Sequence, residues 1–137
     1  MKTFICIISL ALCACLFASL QELKKEEVKA INPTAADCMI RDVVVQQGAV
    51  GTLPNGIPRY SVVILNVNPK NKTVMNVHIK CGWFASYNLV DPSIFRRLAH
   101  DDCLVNNGQP IPTGQAIGFS YSNSFSYPMT VSTVACS

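Results

Sequence analysis

Four cysteines frame the chain from residue 38 onward: Cys38, Cys81, Cys103 and Cys136. Three more, Cys6, Cys13 and Cys15, sit in an apolar opening run. That run has the layout of a secretory leader. It starts positive at Lys2, stays apolar and uncharged over residues 4–17, and passes the small Ala18 and Ser19 before turning polar at Gln21. It falls short of the ~20 apolar residues that span a bilayer. Residues 1–19 are therefore expected to be removed as a signal peptide, with no membrane insertion afterwards. An odd seven cysteines then becomes an even four, as paired thiols in an oxidising compartment require. The four show no C-x-x-C knuckle and no zinc-ligand spacing, so the reading is two disulfides and no metal. Each would contribute about 2–4 kcal/mol, a large share of the ~5–15 kcal/mol by which a domain is stable.

Between the cysteines, short apolar runs alternate with turn residues. Val43-Val44-Val45, within residues 40–47, is a β-branched run. Gly51, Pro54, Asn55, Gly56 and Pro58 then give turn chemistry over residues 48–58. Residues 59–66 place Tyr60, Val62 and Ile64 on one face. Over residues 74–81, Met75, Val77, Ile79 and Cys81 alternate with Asn76, His78 and Lys80. This is a half-buried antiparallel strand with His78 on its wet face. Residues 91–98 predict one short helical turn, capped by Asp91 with Pro92 in its first position. Cys103-Leu104-Val105 forms a short strand ended by Asn106-Asn107-Gly108. Ile117, Phe119 and Tyr121 alternate in the next, and Met129 and Val131 face inward from the last, residues 127–135, with a bulge near Thr133.

The expected fold is all-β: a small antiparallel β-sandwich over residues 38–137, stapled by disulfides, with one short helical turn in the central crossover. Residues 20–37 are polar and charged and are expected to be a mobile lead-in, carrying a dibasic Lys24-Lys25. Four cysteines permit three pairings. An up-and-down strand order favours Cys38–Cys136, where the first and last strands meet, and Cys81–Cys103, which flank the crossover.

Little catalytic chemistry assembles from the residues. The formal charge of +3 loses one unit with Lys2, too small a bias to argue for nucleic acid. In His100-Asp101-Asp102, adjacent carboxylates on an extended chain point apart, and a glycosidase needs two facing one substrate. The serines at 120–126 lack a G-x-S-x-G elbow, and no glycine-rich phosphate loop occurs. Neither enzymatic activity nor a cofactor is expected. Asn71-Lys72-Thr73 is an N-glycosylation sequon in a loop. Trp83 and Phe84 are expected to anchor packing, with Tyr87 partly exposed; the competing reading makes Trp83 and Tyr87 a platform for a wall sugar. Arg96-Arg97, flanked by Phe95 and Leu98, reads either as a contact patch or as the solvated face of a short turn.

One block is more specific than any of these signals. Residues 81–86 (CGWFAS), Asp91-Pro92 followed by Phe95-Arg96-Arg97-Leu98, and residues 101–108 (DDCLVNNG) resemble the tapetum determinant proteins of plants and their homologues. The likeness extends upstream to residues 43–48 (VVVQQG) and 54–58 (PNGIP), and downstream to Phe119-Ser120-Tyr121, residues 125–128 (FSYP) and Cys136. The resemblance implies a small secreted cysteine-rich protein of the apoplast; the chain itself is expected to be a monomer or a weak dimer. It further implies a ligand for the ectodomain of a leucine-rich-repeat receptor kinase in cell-fate or reproductive development. The surface expected to meet that receptor is the Trp83–Arg97 side of the crossover: Trp83, Tyr87, Phe95, Arg96 and Arg97. The alternative is a non-catalytic wall-carbohydrate-binding module. The family's pattern carries two further cysteines in the loop after the second strand. Residues 66–74 have none here, which implies one local staple fewer.

Overall fold

The computed structural model describes residues 38–136. The leader, the lead-in segment and Lys24-Lys25 lie outside the described residues. Seven strands follow a 3-10 turn at Ile40–Asp42: β1 Val43–Thr52, β2 Pro58–Asn66, β3 Val74–Lys80, β4 Phe95–Ala99, β5 Asp102–Val105, β6 Ala116–Ser122 and β7 Thr130–Cys136. They form two antiparallel sheets, ordered β1-β2-β6 and β4-β5-β3-β7. This is the expected all-β, disulfide-stapled architecture. Both expected disulfides are present, Cys38–Cys136 with Cα atoms 5.5 Å apart and Cys81–Cys103 at 6.1 Å.

The alternation explains which side chains are inside. Val62 and Ile64 of β2, Val77 and Ile79 of β3, Cys103 and Val105 of β5 and Tyr121 of β6 are buried between the sheets. Where the alternation fails, a bulge is the cause. Asn76 takes a positive φ of 49°, and the β3–β7 register slips between Met75 and His78. The phase flips there, so Val74 rather than Met75 is buried. On β7 the pairing passes from Thr133 to Val131 and leaves Ser132 over, the bulge expected near Thr133. β1 continues to Thr52, through residues that read as a loop. A bulge between Ala49 and Gly51 leaves Val50 over, and pairing of Gly51 and Thr52 with Arg59 and Pro58 outweighs the weak local propensity.

Around Asp91 the expected turn is a single one. The Asp91 carbonyl accepts from Ile94 N at 3.0 Å and Phe95 N at 3.1 Å. Its carboxylate accepts from the Ser93 hydroxyl and backbone N–H, which together hold the Asp91 carboxyl below its ordinary 3.8. From Phe95 onward the chain is strand β4. The β5 edge supplies a pairing partner, and that outweighs a helix of barely two turns.

Five aromatics fill the space between the sheets. Phe95 stacks on Phe119 at 4.4 Å, and Phe84 stands edge-on to Phe95 at 4.9 Å and to Tyr121 at 5.2 Å. The Tyr121 hydroxyl donates to Gln47 Oε1 at 2.7 Å and accepts from Tyr127 N at 2.9 Å, while Gln47 Nε2 donates to the Tyr127 carbonyl. Burial pushes that hydroxyl above the ordinary tyrosine value of 10.0.

The loop after β2 is held by buried amides. Asn66 Nδ2 donates to the carbonyls of Lys72 (2.9 Å) and Ile111 (2.8 Å), and its Oδ1 accepts from Asn68 N. Asn68 in turn donates to Asp42 Oδ2 at 3.0 Å and accepts from the backbone of Lys70 and Lys72. Asn66→Ala strands several buried groups, each costing about 1–3 kcal/mol when unpaired. The expected loss is roughly 2–4 kcal/mol on that basis. Asn71→Gln, on the exposed rim of the same loop, should cost only about 1 kcal/mol, because it breaks none of these buried bonds and loses only the ease with which Asn holds φ 55°. Thermal unfolding of the two variants decides whether the network or mere loop length fixes the segment.

Candidate functional site

Residues 81–94 cross from β3 to β4 with no strand partner of their own, yet they are pinned at several points. Cys81 is bonded to Cys103. Gly82 N donates to Asp101 Oδ1 at 2.9 Å and Asp101 N returns a bond to the Gly82 carbonyl at 2.7 Å. Gly82 (φ 58°) and Asp101 (φ 61°) both sit in the left-handed region, which lets the two turns meet. Phe84 is buried in the aromatic core. Further along, Tyr87 N donates to the Ser122 carbonyl at 2.7 Å, Ser122 N to Ser86 Oγ, and Asn123 Nδ2 to the Ala85 carbonyl. The crossover is thus tied to β5 at its start, to β6 in its middle and to the Asp91 turn at its end.

What this rigid segment presents is apolar. Trp83 is 65% exposed, Tyr87 67% and Leu89 92%. Trp83 is therefore not the packing anchor that the sequence suggests; of the expected pair only Phe84 is. The core position belongs to Phe84, because Cys81 and Phe84 turn inward and the chain between them must turn out. The Trp83 ring is engaged from within the chain: the Arg97 guanidinium lies 5.0 Å over it and the His100 ring is 4.4 Å away. Arg97 Nε also donates to the Phe84 carbonyl at 3.2 Å, which fixes the stack.

The two arginines do not form one patch. As neighbours on a strand they point to opposite faces. Arg97 covers Trp83, whereas Arg96 bends back to donate to the Pro92 carbonyl at 3.2 Å and to Asn107 Oδ1 at 2.6 Å. Arg96 is thus committed to the chain itself. Phe95 is 1% exposed and stacked on Phe119, so it cannot be a contact residue; strand β4, rather than a helical turn, directs it into the core. Leu89 escaped sequence reading because a lone leucine in an irregular loop carries no periodic signal.

The acidic triplet disperses. His100 packs on Trp83, Asp101 caps the Gly82 turn, and Asp102 meets His78 Nδ1 at 2.6 Å. Among the described residues no group of three or more His, Cys, Asp or Glu is placed to hold a metal ion. Among them, too, no helix is long and apolar enough to cross a membrane. Asn71 lies exposed at a turn with φ 55°.

The comparisons with known proteins fit this geometry. Residues 39–137 match the family model described as Tapetum determinant 1, C-terminal. TPD1 protein homolog 1 of Arabidopsis thaliana is 48% identical over 105 residues, covering 77% of this chain and 59% of the relative. TPD1 protein homolog 1B of Oryza sativa subsp. japonica is 52% identical over 99 residues, covering 72% and 58%. TPD1 protein homolog 1A of the same rice is 42% identical over 101 residues, covering 69% and 45%. The matched part thus spans between 45% and 59% of the length of these relatives. No solved structure is a significant match. With the family model matched over residues 39–137, which takes in all seven strands, both sheets and the whole crossover, the chain belongs to the tapetum determinant family.

Proposed function

We propose that the chain is a secreted plant signalling protein that acts as a ligand, docking its crossover onto the ectodomain of a leucine-rich-repeat receptor kinase. The observation that carries this reading is the pinned crossover that holds Trp83, Tyr87 and Leu89 out in solvent. Large apolar side chains cost solubility when exposed, and rigid aromatic and Arg anchors are what binding hot spots are made of. Preorganisation by a disulfide and backbone bonds lowers the ordering cost of association. Family membership supports a signalling role, and two disulfides are consistent with an extracellular life. The proposal includes secretion after leader cleavage, no catalysis, and a glycan on Asn71. Secreted Asn71→Gln protein should lack one glycan's mass; an unchanged mass would remove that modification from the account.

Exposed Trp83 and Tyr87 also favour the second reading, a wall-carbohydrate module. The Arg97 guanidinium and the His100 ring packed against Trp83 give the surface a cationic, two-residue character that suits a protein contact better than a lone sugar-stacking ring. The test is binding of the secreted, disulfide-bonded protein to a panel of plant leucine-rich-repeat ectodomains, with wall polysaccharides in parallel. Saturable sub-micromolar binding to one ectodomain is expected. Binding to polysaccharide alone would transfer the crossover to the sugar reading.

A further inference from the structure

The Arg97 side chain is fixed in place and left half used. Its Nε donates to the Phe84 carbonyl at 3.2 Å, and its guanidinium carbon lies 5.0 Å from the centre of the Trp83 ring. That bond spends one N–H; those on both terminal nitrogens remain, and they form the fork that fits a carboxylate. Among the described residues no acceptor meets the terminal nitrogens and no carboxylate pairs with them. Every carboxylate near at hand is engaged elsewhere. Residues 38–136 carry four Asp and no Glu. Asp42 is buried and accepts from Met39 N and Asn68 Nδ2. Asp91 holds Ser93, Asp102 meets His78, and Asp101, the nearest in sequence, caps Gly82.

From this we propose that the receptor surface carries an Asp or Glu carboxylate, which Arg97 grips through both terminal nitrogens. The inference rests on the receptor reading above and names the chemistry that its partner must supply. A protein that covers Trp83 also covers Arg97, because the two side chains are stacked. The guanidinium cannot swing back into water without giving up both the stack and the Phe84 bond. Covering it strips its hydration, and a desolvated charge is tolerated only when it is paired and hydrogen-bonded. A carboxylate meets the fork with two parallel charge-assisted bonds, which a neutral carbonyl cannot do. A protein side chain fits better here than a wall polyuronate. A polyuronate bears a carboxylate on each sugar and calls for a row of cations. Arg96, beside Arg97 on the strand, faces the other way and is bound to Pro92 and Asn107, so no row forms.

The test is a set of double-mutant cycles on the ectodomain that binds the secreted, disulfide-bonded chain in the panel. Each exposed Asp and Glu of that ectodomain is changed to its amide, and each variant is titrated with the parent chain and with Arg97→Gln. Arg97 is exposed and outside the buried core, so Arg97→Gln should remain folded at the assay temperature, as thermal unfolding will show. Arg97→Gln alone should weaken binding about tenfold or more. One ectodomain substitution should weaken the parent chain similarly and add almost nothing to the loss in Arg97→Gln. A residue that merely shapes the crossover shows no such coupling to a single carboxylate. Losses with no carboxylate coupled to Arg97, or full-strength binding by Arg97→Gln, overturn the proposal and leave the receptor reading standing. Failure of the parent chain to bind any ectodomain overturns the receptor reading and this one with it. Binding to polygalacturonate alone, lost in Arg97→Gln, also overturns it and assigns the carboxylate to the wall.

Discussion

Opening Cys38–Cys136 with Cys38→Ala/Cys136→Ala is expected to cost about 4–5 kcal/mol, since a link across 98 residues restricts the unfolded chain strongly. For a domain of about 100 residues that lowers the melting temperature by on the order of 20 °C. Opening Cys81–Cys103, across 22 residues, removes a smaller loop term of about 3.4 kcal/mol, plus the packing of two buried sulfurs. The two variants should separate in binding rather than in stability. The first ties the opening turn to the end of β7, away from the crossover contacts. The second holds the point where Gly82 and Asp101 exchange hydrogen bonds and from which Trp83 projects. Calorimetry should therefore show both variants destabilised. Receptor binding, measured well below either melting point, should survive opening Cys38–Cys136 and fall at least tenfold on opening Cys81–Cys103. Equal losses of binding would mean that the crossover is not separately positioned by its own staple.

The sandwich and most strand positions were legible because they rest on period-two patterning and on turn residues, both local signals; the disulfide pairing is the expected one although the up-and-down order it was argued from is not, since β6 pairs with β2, and β1 and β7 lie in different sheets. Val62, Ile64, Val77, Ile79 and Tyr121 are buried as the alternation predicts. The failures share a cause: a tertiary partner outweighed the local signal. Phe95 to Leu98 after an Asp-Pro start look like a helix, and only the β5 edge makes them a strand. That one change of element moves Phe95 into the core and splits Arg96 from Arg97. Met75 and Val74 exchange places because Asn76 accepts a left-handed conformation, which composition alone does not reveal. Trp83 was harder still. An aromatic beside another aromatic reads as core. Which of the two turns outward depends on where the Cys81–Cys103 link leaves the chain and on Arg97 and His100 being available to cover the ring. The candidate site was thus legible as a stretch and not as a set of side chains.

The side chains can be ranked by what each already does within the chain. Arg96 donates to Pro92 and Asn107, so Arg96→Ala should loosen the β4–β5 end and change binding by less than about threefold, as for a residue outside the hot spot. Trp83→Ala and Leu89→Ala remove exposed apolar anchors from a rigid segment. Each is expected to weaken receptor binding tenfold or more, the ~1.4 kcal/mol or above that marks a hot-spot residue. Neither should disturb folding, because neither side chain contributes to the buried core. Arg97→Lys is the most informative change. Lysine keeps the charge but cannot lay a planar guanidinium over Trp83 while its Nε bonds the Phe84 carbonyl. If the stack presents the binding surface, Arg97→Lys behaves almost as badly as Arg97→Ala. If Arg97 contributes only long-range attraction, the lysine variant binds like the parent chain and its residual affinity falls steeply with added salt. Surface plasmon resonance of the five variants at two ionic strengths separates these outcomes. A full-strength Arg97→Lys variant together with a full-strength Trp83→Ala variant would move the contact surface off the crossover altogether.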